Sequence, residues 1–344
     1  MLPRWQELSS LAWPGWQAHP AVGLVNLGNT CYFNSVLQVL GAHLMCSGCD
    51  VLSFQALYHT YIFRELVLGA TIPPDSSPLL SSLQLLFQSL QQSAGATLSP
   101  SDFLTLSRPP WFLAGEQQDC SEYLTTLLDG LQEEDNRPGE EGEEKSASVV
   151  REIFGGQMET CRECLSCHGS STSTDWFTDL HVPIPSGQEE ICVSEVSQLQ
   201  HLPTITVTRS MARARPLQDL LASSLAPERL EGANQYQCDT CGGLRDAQKT
   251  ASIVSAPKVL LLVLLRFEYD KESQSRRKLS TVVEYPDLLE VEVAGGQVEY
   301  RLQTVVVHSG GDSQEGHYYT WARQQVLPSL LSLLPFPRTT AGWC

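Results

Sequence analysis

The sequence predicts an α+β fold in which a mainly helical part precedes a part dominated by β-sheet. Two observations carry this prediction. Apolar residues three and four positions apart recur in the first third of the 344-residue chain, whereas short runs of alternating apolar and polar residues follow in the remainder. The chain contains 42% hydrophobic and 18% charged residues. It can therefore bury a sizeable core, which excludes wholesale disorder and very small folds.

Three segments of the first third are predicted to form amphipathic helices, because their apolar residues share one face. They are Phe33 to Leu44, Leu79 to Leu90 and Asp119 to Leu131. Asn29 or Thr30 can cap the first helix, since both side chains accept hydrogen bonds from the free N–H groups of a first turn. Cys31 is therefore expected at a helix N-terminus.

Strand patterns follow an acidic run at residues 133–144, which is typical of a solvated loop. Residues 186–200 and 208–216 are polar or bounded by proline, and we expect a flexible insertion there. The predicted strands are Phe177 to Ile184, Leu202 to Val207, Val259 to Phe267, Val291 to Val293, Leu302 to Val307 and Tyr318 to Ala322.

These changes of pattern divide the chain into successive parts. The predicted parts are an N-terminal lead-in (1–22), a mainly helical part (23–150) with an acidic loop (133–148), a cysteine-bearing part with the flexible insertion (151–255), a sheet part (256–323) and an apolar tail (324–344).

The charge balance limits the partners of the chain. The 22 basic and 39 acidic residues give a net charge of −17, which argues against a nucleic-acid-binding function and favours a basic partner. The N-terminus lacks a basic end followed by an apolar core, and the longest aliphatic run, Val259 to Leu265, is too short to span a bilayer. We therefore expect an intracellular protein, cytoplasmic or also nuclear, that does not act on membranes.

The stretch GLVNLGNTCYFNSVLQVL, from Gly23 to Leu40, carries a candidate nucleophile. A thiolate is the reactive form of cysteine, and the partial positive charge of a helix N-terminus favours it at Cys31. Asn26 can present its side-chain amide to an oxyanion that develops during attack. The alternative is that Cys31 is a buried, inert thiol of the core.

A thiolate nucleophile needs an imidazole to hold its proton. The stretch VVVHSGGDSQEGHYYTWAR, from Val305 to Arg323, predicts a strand, a glycine-rich turn and a second strand. His308 ends the first strand, and His317 opens the second directly after Gly316. Either histidine is a candidate base, and either can instead have a purely structural role.

Closely spaced cysteines predict a metal site. Cys161, Cys164 and Cys167 offer two overlapping Cys-x-x-Cys pairs, and Cys238 with Cys241 forms another. Two such pairs supply the four thiolates of a tetrahedral zinc site, although about 70 residues separate them along the chain. The spacing leaves both registers of the first pair open, as well as the alternative of cysteines without metal.

The stretches around Cys31 and His317 resemble the cysteine box and the histidine box of the ubiquitin-specific proteases. Between them, EQQDCSEYLTTLL (116–128) resembles the family's QQD-containing helix, and VLLLVLLRFEYD (259–270) resembles its Leu-x-Arg-Phe strand. The four motifs occur in the family's order. The resemblance implies a papain-like, hand-shaped fold, with a thumb in the helical part, fingers in the cysteine-bearing part and a palm in the sheet part.

The resemblance also implies an activity and the residues that carry it. Cys31 would be the nucleophile, His317 the general base and Asn26 an oxyanion donor of a deubiquitinating thiol isopeptidase that cleaves after the C-terminal glycine of ubiquitin. Ubiquitin and ubiquitinated proteins would be its partners. His308 would be a strand-end neighbour of the base.

Further site residues follow from the same resemblance. Gln118, Asp119, Glu122 and Phe267 would help to hold the extended, arginine-bearing tail of ubiquitin, unless the two acids only solvate an exposed helix face. Structural zinc would be bound by Cys164, Cys167, Cys238 and Cys241 at the tips of the fingers, which leaves Cys161 as a spare thiol. No organic cofactor is implied.

One departure from the family puts the activity of the chain in question. The base of a catalytic triad is oriented by an Asp or Asn, which follows the histidine in this family. Residues 324–344 contain no Asp, Asn or Glu, and the last acid of the chain is Glu315. The alternatives are therefore a catalytically weak or inactive ubiquitin-binding module of the same fold, or a zinc-ribbon scaffold without affinity for ubiquitin.

Overall fold

The computed structural model describes most of the chain between Gly23 and Ala322. The described residues are 23–41, 51–55, 60–72, 76–93, 97–136, 148–185, 214–270, 274–310 and 316–322. The predicted lead-in, the predicted strand Leu202 to Val207 and the apolar tail lie outside them.

Helices dominate the first half of the described chain, and one more helix lies in the second half. They are α1 (Cys31–Gly41), α2 (Thr60–Gly69), α3 (Pro78–Gln92), α4 (Ser101–Ser107), α5 (Cys120–Asn136), α6 (Val149–Phe154) and α7 (Leu217–Ser224). The three predicted helices correspond to α1, α3 and α5, and four more helices accompany them. None of the described helices is long and apolar enough to cross a membrane.

The strands form two main sheets and several two-stranded ribbons. They are β1 (Val51–Gln55), β2 (Gly156–Cys164), β3 (Ser170–Phe177), β4 (Asp179–Pro183), β5 (Arg215–Pro216), β6 (Glu228–Leu230), β7 (Tyr236–Cys238), β8 (Gly243–Arg245), β9 (Ala247–Ser255), β10 (Val259–Leu265), β11 (Phe267–Asp270), β12 (Ser275–Lys278), β13 (Val283–Glu284), β14 (Leu288–Val293), β15 (Gly296–Ser309) and β16 (His317–Ala322).

The larger sheet has the order β14-β15-β1-β10-β4, and β16 pairs with β15. Both of its faces are covered, and strand β10 shows why. Val259 and Leu261 belong to the core shared with the helices, whereas Leu260, Leu262 and Leu264 belong to a second core that includes α7. A strand buried on both faces needs a continuous apolar run rather than an alternating one. This explains the sequence VLLLVLL.

The helical core is built around α1 and α5. Tyr32 and Phe33 of α1 pack against Tyr123 of α5, with ring centroids 5.6 and 5.4 Å apart. All three side chains are buried, and aromatic pairs at these separations add to the stabilisation that burial supplies. The core therefore fixes α1, and with it Cys31, against α5.

Glu134 joins α5 to α3 as a buried acid. The expectation of a solvated acidic loop from residue 133 is wrong for residues 133–136, which belong to α5. The two carboxylate oxygens of Glu134 accept hydrogen bonds from the backbone N–H groups of Leu79 and Leu80, at 2.8 and 3.0 Å. These are donors of the first turn of α3, where a negative charge is favoured by the helix dipole. A buried acid thus caps a helix whose own Ser77 makes no side-chain cap.

The smaller sheet has the order β3-β2-β9-β6 and carries the cysteine-bearing turns at one end, beside the ribbon β7-β8. The predicted cysteine-bearing part also supplies β4 to the larger sheet and α7 to the second core. Arg215–Pro216 lies within the region that we expected to be flexible. It forms β5 instead, because it pairs in parallel with Val283–Glu284.

Candidate functional site

Cys31 is the first residue of α1. The carbonyl oxygen of Thr30 accepts the backbone N–H of Asn34 at 3.0 Å, so the helix starts immediately after Thr30. Cys31 therefore stands where the free N–H groups and the positive end of the helix dipole are located. Its side chain is 4% exposed and belongs to the helical core. Local sequence thus places the predicted nucleophile at the N-terminus of a helix.

The loop before Cys31 is organised by Asn26. Its Oδ1 atom accepts hydrogen bonds from the backbone N–H groups of Gly28 and Thr30 and from the hydroxyl of Thr30, all at 3.1 Å. Gly28 and Asn29 take positive φ angles of 98° and 51°, which the tight loop requires. With its oxygen so occupied, Asn26 retains its Nδ2 hydrogens as donors, and no described residue accepts them. An oxyanion donor needs such unused N–H groups.

The same loop is tied to the segment that precedes α5. The Nδ2 atom of Asn29 donates to the carbonyl oxygen of Gly115 at 2.8 Å. The backbone N–H of Val25 donates to Leu98 at 2.8 Å, and the side chain of Asn34 donates to Val25 at 3.3 Å. Contacts on both sides therefore restrain the loop that carries Asn26.

His317 begins β16, as the sequence predicts, and pairs with Ser309 of β15. Strand β16 packs on α1, because the hydroxyl of Thr320 donates to the carbonyl oxygen of Ser35 at 3.0 Å and Tyr318 shares the core of Cys31. The elements that carry the predicted nucleophile and base are thus direct neighbours. The imidazole of His317 is exposed, and neither of its nitrogens is hydrogen-bonded to any residue in the described part of the chain.

His308 has the opposite environment. It is 4% exposed, and its ring centroid lies 4.7 Å from Tyr318 and 5.6 Å from Phe267. The ammonium of Lys278 lies 3.1 Å from its Nδ1 atom, and the side-chain nitrogen of Gln117 lies 3.3 Å from its Nε2 atom. Sequence reasoning missed both neighbours. Gln117 lies in a motif that it had singled out, whereas no pattern distinguishes Lys278.

The predicted ubiquitin-binding acids both have local partners. Asp119 caps α5, because its Oδ1 atom accepts hydrogen bonds from the backbone N–H and the hydroxyl of Ser121 at 2.7 and 2.6 Å. Glu122 accepts the indole N–H of the exposed Trp111 at 2.8 Å. Gln118 precedes them and is half-buried. The two acids therefore stand at the positive end of a helix, where a negative charge is stabilised.

Four cysteine sulfurs meet at the end of the smaller sheet. The Sγ atoms of Cys164, Cys167, Cys238 and Cys241 all lie within 4.8 Å of one another. Cys164 and Cys241 are 4.0 Å apart, and Cys167 and Cys238 are 3.6 Å apart. Four thiolates at about 2.3 Å from a tetrahedral zinc ion are about 3.8 Å apart. The four sulfurs thus fit zinc. Cys161 lies in β2, where it pairs with Thr250 of β9, and it is not part of the cluster.

Hydrogen bonds from backbone N–H groups favour the thiolate form of one of these sulfurs. The N–H groups of Cys167 and Ser166 point to the sulfur of Cys164, and these hydrogen bonds lower the pKa of Cys164 to about 6. The pKa of Cys241 is raised, mainly by its contact with Cys167. The Cys164 thiol is therefore ready to lose its proton, as zinc ligation requires. A Cβ on Gly169 would stand 3.3 Å from the sulfur of Cys167, so the turn is closely packed around the cluster.

Comparisons with known proteins identify the family of the chain. The family described as ubiquitin carboxyl-terminal hydrolase matches residues 22–327 of the chain. Ubiquitin carboxyl-terminal hydrolase 35 of Homo sapiens is 28% identical over 88% of this chain and 42% of its own length. Ubiquitin carboxyl-terminal hydrolase 17-like protein D of Mus musculus is 30% identical over 91% of this chain and 50% of its own length.

Ubiquitin carboxyl-terminal hydrolase 17-like protein 15 of Homo sapiens is 27% identical over 88% of this chain and 47% of its own length. The chain thus spans about half the length of these curated relatives. The family match includes the described helices and both main sheets, as well as the loop of Cys31 and the strand of His317. The chain belongs to the ubiquitin carboxyl-terminal hydrolase family and has the papain-like α+β fold of that family.

Proposed function

We propose that this chain is a deubiquitinating thiol isopeptidase in which Cys31 is the nucleophile and His317 the general base. The observation that carries the proposal is the packing of α1, which begins with Cys31, against β16, which begins with His317. A thiol protease needs a thiolate beside an imidazole, and the packing of these two elements on each other supports such a pair. Family membership supports ubiquitin as the substrate.

The proposed chemistry proceeds through a thioester. The sulfur of Cys31 attacks the carbonyl carbon of the terminal glycine of ubiquitin, and the resulting oxyanion accepts a hydrogen bond from the Nδ2 atom of Asn26. As the sulfur attacks, the thiol proton of Cys31 passes to His317, and the amine of the substrate then leaves with that proton from the imidazolium. Water next attacks the thioester and gives a proton to His317. The thiolate of Cys31 leaves, recovers a proton from His317, and ubiquitin is released with a free carboxylate.

The acids at the start of α5 are proposed to bind the basic tail of ubiquitin, with Gln118 and Phe267 beside its path. Asp119 uses one carboxylate oxygen to cap the helix, so its charge remains available to an arginine at the other oxygen. Glu122 lies one helical turn further on. Charge-assisted hydrogen bonds to a guanidinium are among the strongest polar contacts in proteins.

Asp119→Asn is expected to raise the dissociation constant for ubiquitin about 5- to 50-fold, because it removes the charge that pairs with the tail. Asparagine caps a helix as well as aspartate does, so the melting temperature should change little. Titration calorimetry with ubiquitin measures the effect. Asp102→Asn, which removes an exposed acid from the first turn of α4, is the matched control. A dissociation constant unchanged in Asp119→Asn would contradict this path of the tail.

We also propose that Cys164, Cys167, Cys238 and Cys241 bind one structural zinc ion. The fit of four sulfurs within 4.8 Å supports this assignment. A site with four protein ligands leaves no position for a substrate or water, so the metal would stabilise the smaller sheet and take no part in hydrolysis.

The alternative function, a weakly active or inactive ubiquitin-binding module, is supported by the absence of Asp, Asn and Glu from residues 324–344. Turnover of a fluorogenic ubiquitin conjugate separates the two. We expect slow hydrolysis that Cys31→Ala abolishes. Replacing residues 324–344 with an Asn-bearing strand should raise the rate about 10- to 100-fold, less than the effect in serine triads because a thiol is already partly ionised.

Three other outcomes decide between the functions. Equal rates for the natural chain and the repaired one would mean that the orienting group is supplied elsewhere. Ubiquitin binding without any hydrolysis would support the binding module. No binding at high ubiquitin concentration would support the zinc-ribbon scaffold.

A further inference from the structure

We propose that Lys278 is a positioning residue for His317, because it holds the end of β15, the strand with which His317 pairs. The inference rests on the proposed function of His317 as the base. Lys278 is the last residue of β12, and its ammonium lies 2.7 Å from the carbonyl oxygen of His308 and 3.1 Å from that of Gly310. Its third contact is the Nδ1 atom of His308 at 3.1 Å.

These contacts commit the whole ammonium group to one place. An ammonium has three N–H donors, and the end of β15 supplies three acceptors for them. All three acceptors are neutral, and Lys278 forms no ion pair with any acid in the described ranges. Its charge is therefore used to hold backbone and imidazole rather than to balance a carboxylate. A half-buried lysine with this set of partners restrains the strand end directly.

Lys278 restrains His317 indirectly, through His308 and Gly316. A Cβ on Gly316 would stand 2.4 Å from both the Nε2 atom of His308 and the carbonyl oxygen of Ser309. The backbone before His317 is thus in close contact with the imidazole that Lys278 holds. Ser309 also pairs with His317 across the two strands. Any displacement of His308 must consequently displace the start of β16.

The hydrogen bonds also fix the tautomer of His308. An ammonium cannot accept a hydrogen bond, so Nδ1 is the acceptor and the ring proton lies on Nε2. That N–H lies beside the side-chain amide of Gln117, whose nitrogen is 3.3 Å from Nε2. Rotation of this amide by about 180° would present its oxygen as the acceptor. His308 therefore connects β12, β15 and the segment before α5.

This arrangement adds a constraint on the position of the His317 imidazole. Its ring lies 5.7 Å from that of Tyr319, but its nitrogens have no hydrogen-bond partner among the residues that the structure describes, and residues 324–344 contain no Asp, Asn or Glu. A base without a hydrogen-bonded ring nitrogen depends largely on its backbone for position. Displacements of about 1 Å at a catalytic group can reduce a rate about 100-fold.

The test compares Lys278→Met with Lys278→Arg, which keeps N–H donors. Lys249→Met, which removes a surface lysine paired with Glu228 at 3.1 Å, is the control. The first readout is the rate of alkylation of Cys31 by iodoacetamide as a function of pH, followed by mass spectrometry of the Cys31 peptide. It needs no ubiquitin. We expect the pH profile of alkylation in Lys278→Met to approach that of His317→Ala. Lys278→Arg and Lys249→Met should keep the profile of the natural chain.

The second readout is hydrolysis of a fluorogenic ubiquitin conjugate per mole of folded protein. We expect Lys278→Met to lower kcat about 10- to 100-fold, with KM and the dissociation constant for ubiquitin within about twofold, and Lys278→Arg to recover most of the rate. An unchanged alkylation profile in folded Lys278→Met overturns the inference. If the natural chain does not hydrolyse the ubiquitin conjugate, the proposed function is overturned instead. The alkylation profiles then still decide the role of Lys278.

A measurement on the natural chain tests the inference even if a variant fails to fold. Nitrogen NMR shifts of the His308 ring report its tautomer. We expect a proton on Nε2 and an unprotonated Nδ1 that accepts from Lys278. A proton on Nδ1 overturns the inference, because that N–H cannot face the ammonium.

Discussion

Replacing Cys238 with serine is expected to reduce bound zinc from one equivalent to less than a tenth and to lower the melting temperature by about 10 °C. Cys238 is buried, and its sulfur lies 3.6 Å from that of Cys167. Loss of one thiolate opens a four-ligand site and leaves three sulfurs without a common partner. Elemental analysis and thermal unfolding, on protein purified without chelator, measure the two effects.

Cys161→Ser is the control for the zinc prediction. Cys161 lies three residues before Cys164 on the same strand, but it pairs with Thr172 and Thr250 rather than joining the cluster. Its replacement should leave the zinc content at one equivalent. Natural protein that contains less than a tenth of an equivalent would contradict the metal assignment, and loss of zinc in Cys161→Ser would contradict the choice of ligands.

Gly316→Ala is expected to reduce hydrolysis of ubiquitin conjugates at least about 100-fold. The φ angle of Gly316 is +147°, a conformation that residues with a Cβ rarely adopt. A Cβ there would also meet the ring of His308 and the carbonyl oxygen of Ser309, both at 2.4 Å. The backbone at Gly316 must therefore shift, and His317 follows it directly. Steady-state kinetics with a fluorogenic ubiquitin conjugate measure the loss.

Gly296→Ala is the matched control, because Gly296 begins β15, the strand that pairs with β16, and a Cβ there meets no atom within 4 Å. Its rate should stay within about twofold of the natural chain. Both variants should still bind ubiquitin, since neither glycine belongs to the predicted binding path. A normal rate in Gly316→Ala would contradict the dependence of catalysis on this turn.

Several elements could be predicted from sequence because their cause is local. The start of α1 at Cys31 follows from apolar spacing, although the hydroxyl of Thr30 accepts the backbone N–H of Leu27 rather than one of α1. The opening of β16 at His317 follows from a glycine-rich sequence between two apolar runs. The cysteine cluster required more. Spacing left two registers open, and the structure brings together the register that the family resemblance favours.

Other elements were missed because tertiary contacts determine them. Helix α7 has eight residues, too few for stable helix in isolation, and it forms because Leu217, Leu220 and Leu221 are buried in the second core. Strand β1 pairs with two strands that lie about 200 residues away or more in sequence. No local pattern encodes such pairing. Lys278 stands in a charged stretch where nothing marks it, and only the folded turn gives it partners.

The central claim is that Cys31 acts on the C-terminus of ubiquitin. The most direct measurement is capture of the chain by ubiquitin that carries a thiol-reactive electrophile in place of its terminal carboxylate, with the modified residue identified by mass spectrometry. The account predicts one ubiquitin attached to Cys31, and none in Cys31→Ala, although the chain contains 11 cysteines. Attachment at a different cysteine, or no attachment at concentrations where ubiquitin binds, would contradict it.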